Sequence, residues 1–137
     1  MIDDYLARAS RAGRALGLGP FEVREVEAKK PGPEAEAEAL SRALPANSIL
    51  VAMDERGRTL SSPDFASRLA DWRDAGRRHV TLVIGGADGL SPEFRNRADL
   101  VLSFGKMVWP HMLARVMLAE QLYRATQILA GTPYHRV

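Results

Sequence analysis

Cysteine is absent from the 137 residues, which removes any disulfide framework, thiolate metal site or cysteine nucleophile and fits a reducing compartment such as the cytoplasm. Long apolar runs are missing too. Nothing approaches the ~20 residues of a membrane-spanning helix, and the start Met1-Ile2-Asp3-Asp4 lacks the basic and apolar regions of a signal peptide. A soluble protein without a membrane partner is expected. There is little excess charge: 19 Lys and Arg against 17 Asp and Glu leave a net +2, so any nucleic-acid contact should be local. The histidines, His79, His111 and His135, lie too far apart for a zinc motif, and no metal is expected. Ser91 and Ser103 lack a nucleophile signature such as G-x-S-x-G.

What is present suits one compact domain over residues 1–137, since a chain of this length with 46% hydrophobic residues can bury roughly two-thirds of its unfolded surface. Asp3 or Asp4 can open a helix carrying Tyr5, Leu6, Ala9, Ala12 and Leu16 at three- and four-residue steps, ended by Gly17-Leu18-Gly19-Pro20. Phe21, Val23 and Val26 alternate imperfectly with charged residues and read as a strand with one wet face or at a sheet edge. After the loop Lys29–Pro33, the Glu/Ala-rich run Glu34–Leu44 predicts a helix with a solvated acidic face.

Three short apolar runs follow, Ser48–Met53, Val80–Ile84 and Leu100–Leu102, each of buried-strand type. The first should end at Asp54 and the polar turn Glu55–Arg58. Between the first two, Ser62 as cap and Pro63 at the first helical position predict a helix with Phe65, Leu69 and Trp72 inward. Ser91-Pro92 repeats the signal for a short helix to about Ala98. Pro110 opens a long final helix that offers Leu113, Val116, Met117, Tyr123, Ile128 and Leu129 for packing, and Gly131 stops it. Alternating strands and helices argue for a parallel α/β sheet, whose ligands bind at the carboxyl ends of the strands.

The loops after Met53, Ile84 and Leu102 are therefore the informative ones. Gly85-Gly86-Ala87-Asp88-Gly89 lets a ligand approach backbone amides, but its spacing is neither the dinucleotide fingerprint nor a Walker A loop. A tight turn explains it equally well. Ser103–His111 contains Met107, Val108 and Trp109, which can wall an adenine or simply plug the next helix. His111 reads as a substrate-orienting group or as a cap. Tyr134-His135-Arg136 suits stacking on a base and pairing with phosphate, or packing of a tail.

Taken together, Leu82–Ser91, Pro110-His111, Ala119–Ala125 and Pro133–Arg136 resemble the ribosomal RNA large subunit methyltransferase H family, of the SPOUT superfamily of knotted methyltransferases. The resemblance spans almost the whole chain. It implies a deep trefoil knot within about 80–137, a homodimer, and S-adenosylmethionine-dependent methylation at N3 of a pseudouridine in the helix 69 loop of 23S ribosomal RNA in the assembled ribosome. Carried over by motif, the cofactor contacts are Met53, Gly86, Gly105, Lys106, Met107, Val108, Trp109 and Pro110. An imide nitrogen must lose its proton to attack a methyl group, so a base is expected, with water or a poised side chain as the receiver and His135 and His111 the candidates. Arg124 and Arg136 are candidates to stabilise the anion or hold phosphate, and Tyr134, His135 and Arg136 to contact RNA.

This chain departs from the family pattern twice. The family's glycine loop usually reads Gly-Gly-Pro-Glu-Gly, where this chain has Ala87 and Asp88. Family members also begin with an apolar strand ahead of the first helix, whereas this chain starts at that helix; the expectation is that Met1 is an internal start and the natural product is longer. Two competing readings stand beside the enzyme: a non-catalytic ribosome-binding factor on the same fold, and an unrelated α/β nucleotide-binding regulator.

Overall fold

A computed structural model describes residues 1–86 and 89–136. Its elements run in chain order as α1 (Ile2–Gly13), a 3-10 turn (Arg14–Leu16), α2 (Pro33–Ala43), β1 (Ile49–Thr59), α3 (Ser62–Asp74), β2 (Val80–Ile84), α4 (Pro92–Arg97), β3 (Leu100–Ser103) and α5 (His111–Ala130). The strands form one sheet in the order β2-β1-β3, parallel throughout. The expected α/β class and parallel sheet are observed.

The elements divide into two compact units. One holds the sheet, within residues 24–59 and 77–111. On one face of that sheet Leu50 and Ala52 of β1 and Val83 of β2 bury with Leu90 and Phe94, and Ala37, Leu40 and Leu44 from α2 and its end pack against them. The apolar positions of the Glu/Ala run thus serve as a sheet-covering stripe. At the start of β1, Asp99 brackets Leu50: its carboxylate accepts from the Leu50 amide at 2.8 Å and its own amide donates to the Leu50 carbonyl at 2.8 Å. This pins β3 to β1 before their ladder begins.

β1 is longer than the apolar pattern suggests. Met53 pairs with Leu102, and so does Arg58, with Thr59 opposite Ser103. The residues between, Asp54 to Gly57, form a bulged excursion instead of a terminal turn, closed by the Arg56 amide donating to Asp54 Oδ1 at 2.8 Å. Polar residues at 54–58 signalled a strand end because hydropathy reports burial, whereas this extension is held by backbone pairing along β3.

The second unit comprises residues 1–23, 60–76 and the segment from Met112 onward. Leu6 and Ala9 of α1, Phe65, Ala66 and Leu69 of α3, and Leu118, Ala119, Leu122 and Ala125 of α5 are its buried apolar side chains. α3 is tied in by Ser62 Oγ donating to Gln121 Oε1 at 2.7 Å and by Arg73 donating to the Leu16 carbonyl at 2.8 Å. The cap of α3 is Ser61, whose hydroxyl accepts from the Asp64 amide, and not Ser62. Ser91 caps α4 as expected, accepting from the Phe94 amide at 3.1 Å.

Two further expectations are corrected. No strand forms at Phe21–Val26: the Phe21 amide donates to Ser10 Oγ at 3.0 Å, removing it from any ladder, and Val23 is exposed. The inward face of α5 is Leu118, Ala119, Leu122, Ala125 and Thr126, while Leu113 is exposed. Apolar residues nearly surround this helix, so periodicity alone could not select the buried face.

Candidate functional site

Sheet register aligns the carboxyl ends of β2 and β3 with Met53, the residue of β1 just ahead of its excursion. Met53 lies opposite Ile84 on one side and Leu102 on the other, so the glycine loop, which leaves β2 after Ile84, and the segment leaving β3 after Ser103 flank Met53 at the carboxyl edge. That places Met53, Gly86 and Gly105 around one end of the sheet, where a parallel α/β architecture binds ligands. Lys106, Met107, Val108, Trp109 and Pro110 follow Gly105 and are all exposed. Met107 is 72% and Val108 80% accessible, an apolar run left in water that needs a cover. The departures at Ala87 and Asp88 lie outside the described residues.

The excursion of β1 shapes the other side of this edge. Glu55, Arg56, Gly57, Arg58, Thr59, Ser103, Gly105 and Lys106 line an open hollow of about 630 Å³, with three cations against one carboxylate. Ser103 is buried and organises it: its hydroxyl accepts from the Gly105 amide at 2.9 Å and lies 2.8 Å from the Gly105 carbonyl and 3.3 Å from the Glu55 carbonyl, to which it can donate. Asp54, its side chain only 6% exposed, sits between Arg56 at 3.3 Å and Arg95 at 3.8 Å.

The glycine loop has a partner that sequence reasoning missed. The Gly86 amide donates to Glu36 Oε1 of α2 at 2.6 Å, and Gly89 closes the loop on the Gly86 carbonyl at 3.0 Å. A carboxylate at this amide repels phosphate and favours a ligand that presents hydroxyl or cationic groups. At this amide a cationic sulfonium is therefore better suited than a phosphate.

A second cluster forms on α5 and the tail, within the helical unit. Arg124 reaches Glu120 through two bonds, Nη2 to Oε2 at 2.8 Å and Nε to Oε1 at 3.2 Å, and its Nη1 lies 3.1 Å from His135 Nδ1. Tyr134 donates to Glu120 Oε2 at 2.7 Å, stacks under the Arg124 guanidinium at 4.9 Å and meets the Tyr123 ring edge-on at 4.8 Å. The tail is thus tied down. Arginine only donates, so in this arrangement His135 Nδ1 accepts and its neutral ring carries the proton on Nε2.

The structure brings Arg124, Tyr134 and His135 together; Arg136 is exposed beside them in sequence. His111 is not part of this group; it is the first residue of the same helix, thirteen positions ahead of Arg124 in sequence. Glu120 is the organising residue absent from the sequence-derived set, although its i, i+4 spacing to Arg124 carried the signal. Among the described residues no group of three or more acidic or histidine side chains is placed to hold a metal, and no helix is long and apolar enough to cross a membrane.

The cluster shifts two titrations. Hydrogen bonding to Glu120 raises Arg124 above its ordinary value, against the effect of burial. Burial, then the bond to Glu120, pushes Tyr134 up to about 12. The unfolded chain releases that proton near 10, so between about pH 10 and 12 the folded state binds more protons and stability falls as pH rises. Thermal melts across that window should show a shallower decline for Tyr134→Phe than for the parent; parallel curves would remove Tyr134 as the source.

Comparison with known proteins identifies the family. The family model described as predicted SPOUT methyltransferase matches residues 1–135. Proteins named ribosomal RNA large subunit methyltransferase H are similar to the entire chain: that of Ruegeria pomeroyi is 66% identical and one from Cereibacter sphaeroides 64%, each over 138 aligned positions that cover 100% of this chain and 88% of the relative. That of Roseobacter denitrificans is 64% identical over 99% of this chain and 88% of its own length. With the family model spanning nearly every residue and relatives at this identity, the chain belongs to the SPOUT methyltransferases and, among them, to the ribosomal RNA large subunit methyltransferase H family.

Proposed function

We propose that this protein methylates 23S ribosomal RNA in the assembled ribosome, at N3 of a pseudouridine in the helix 69 loop, with S-adenosylmethionine as donor. The observation that carries the reading is the row Met53–Ile84–Leu102, which gathers the three strand-end loops at one edge of the sheet. Family membership and the names of the relatives support the chemistry.

On this reading Met53, Gly86 and Gly105 to Pro110 hold the cofactor, with Met107, Val108 and Trp109 supplying apolar cover. S-adenosylmethionine supplies an electrophilic methyl group on a sulfonium. The protein's part is to position the acceptor nitrogen and remove its proton. Arg124, kept charged by Glu120, stabilises the imide anion. His135 presents Nε2–H to a substrate oxygen while Nδ1 is held by Arg124; once Arg124 turns to the substrate, Nδ1 is released to take the proton. Tyr134 and Arg136 contact the RNA.

The whole chain acts as one SPOUT domain with a trefoil knot within about 80–137, working in the cytoplasm as a homodimer. The dimer covers the apolar run at 107–109 and brings a partner's tail to the cofactor loops. Incubation with intact ribosomes and labelled S-adenosylmethionine is expected to place one methyl group on that pseudouridine, with far less on free RNA or separate subunits. Ribosome binding without methyl transfer would overturn the enzyme in favour of the binding factor.

A further inference from the structure

We infer that Glu36 is a positioning residue that locks the glycine loop for the methyl donor. The inference rests on the proposed role of that loop in cofactor binding. Two observations carry it. Glu36 Oε1 accepts the Gly86 amide at 2.6 Å, and a Cβ built on Gly86 would lie 2.6 Å from Glu36 Oε2. Both oxygens thus lie against the loop, and a side chain at 86 would have to push this carboxylate away from the amide.

Glu38 of the same helix behaves differently. Glu38 pairs with Arg42 one turn on, both largely exposed, the arrangement expected of a solvated face. Glu36 is instead adjacent to Ala37, which packs with Leu40 on the sheet core. The core stripe of α2 therefore fixes the height at which Glu36 meets the loop, and the bond spans fifty residues of sequence. An amide held by a charged acceptor is kept from sampling other loop conformations, so the loop meets its ligand without first paying for its ordering.

The test uses the full chain with Glu36→Ala and Glu36→Gln. Amide exchange at Gly86, followed by NMR without ligand, should quicken at least about tenfold in Glu36→Ala and less in Glu36→Gln, which keeps an acceptor oxygen. Calorimetry with S-adenosylmethionine should show Kd rising about ten- to a hundredfold in Glu36→Ala, with recovery of most of that loss in Glu36→Gln and unchanged ribosome affinity in both. Gly86→Ala, which displaces the carboxylate, should add little to Glu36→Ala although it weakens the parent. Unchanged exchange at Gly86, or unchanged cofactor affinity in Glu36→Ala, overturns the inference. A parent chain that binds no S-adenosylmethionine while Glu36→Ala still quickens exchange would instead overturn the reading of the loop and leave the lock standing.

Discussion

Gly57→Ala is expected to destabilise the protein by about 3 kcal/mol and to abolish cofactor binding with it. A Cβ on Gly57 would lie 2.5 Å from the Val101 carbonyl oxygen, 2.6 Å from its carbon and 2.8 Å from the Leu102 nitrogen. All three are backbone atoms of β3, so no rotamer change relieves the contact; β3 must shift or the excursion of β1 must open. Either movement breaks the row that sets Met53 and Arg58 against Leu102. It also displaces Ser103 and Gly105, whose bonds shape the hollow at the sheet edge. Urea unfolding measures the stability loss, and a Gly57→Ala protein within about 1 kcal/mol of the parent would show that the return of β1 does not require this approach.

How much of this was readable beforehand depends on which force built each part. Burial wrote itself into the sequence: the apolar runs at 49–53, 80–84 and 100–102 became adjacent parallel strands, and Ser91-Pro92 opened α4. Capping by Ser61 in place of Ser62 was a shift of one residue between two adjacent hydroxyls, which local pattern cannot separate. Backbone-driven features were invisible. The extension of β1 through Thr59 rests on ladder bonds to β3, and Phe21–Val26 forms no strand, its first amide being held by Ser10.

The same division holds at the site. Gly86, Met53 and the 105–110 segment are candidates in the sequence because glycines and the ends of apolar runs are local signals, and the family resemblance chooses among their meanings; the structure adds the register that sets Met53 beside Ile84 and Leu102. Glu36 was read as part of a solvated acidic face, since its contact with Gly86 spans a distance in sequence that no periodicity encodes. Asp54 and Ser103 were likewise read as strand-end residues, and their roles emerge only when the excursion of β1 brings Glu55 and Gly105 to the Ser103 hydroxyl. Glu120 was the exception, its helical spacing to Arg124 being visible throughout.

Arg124→Ala is expected to lower methyl transfer on ribosomes by about 10²- to 10³-fold while leaving S-adenosylmethionine affinity within about threefold of the parent, a difference worth under 1 kcal/mol. Arg124 holds three groups at once: the Glu120 carboxylate, the Tyr134 ring and His135 Nδ1. Its removal deletes the cation proposed to meet the imide anion and releases the histidine. Lysine cannot replace it, because an ammonium lacks the planar fork whose separate nitrogens reach both Glu120 oxygens and His135, so Arg124→Lys should recover only a small part of the rate. Glu120→Gln tests the arrangement from the other side. It keeps an acceptor for Arg124 and Tyr134 but loses the charge, so it should reduce the rate less than Arg124→Ala, and the double variant should fall no further than Arg124→Ala alone, since the two residues act as one unit. Single-turnover assays on intact ribosomes separate these outcomes from RNA binding. Arg124→Ala turning over within about threefold of the parent, or independent and additive losses in the double variant, would remove the cluster from the chemistry and leave it the task of tying down the tail.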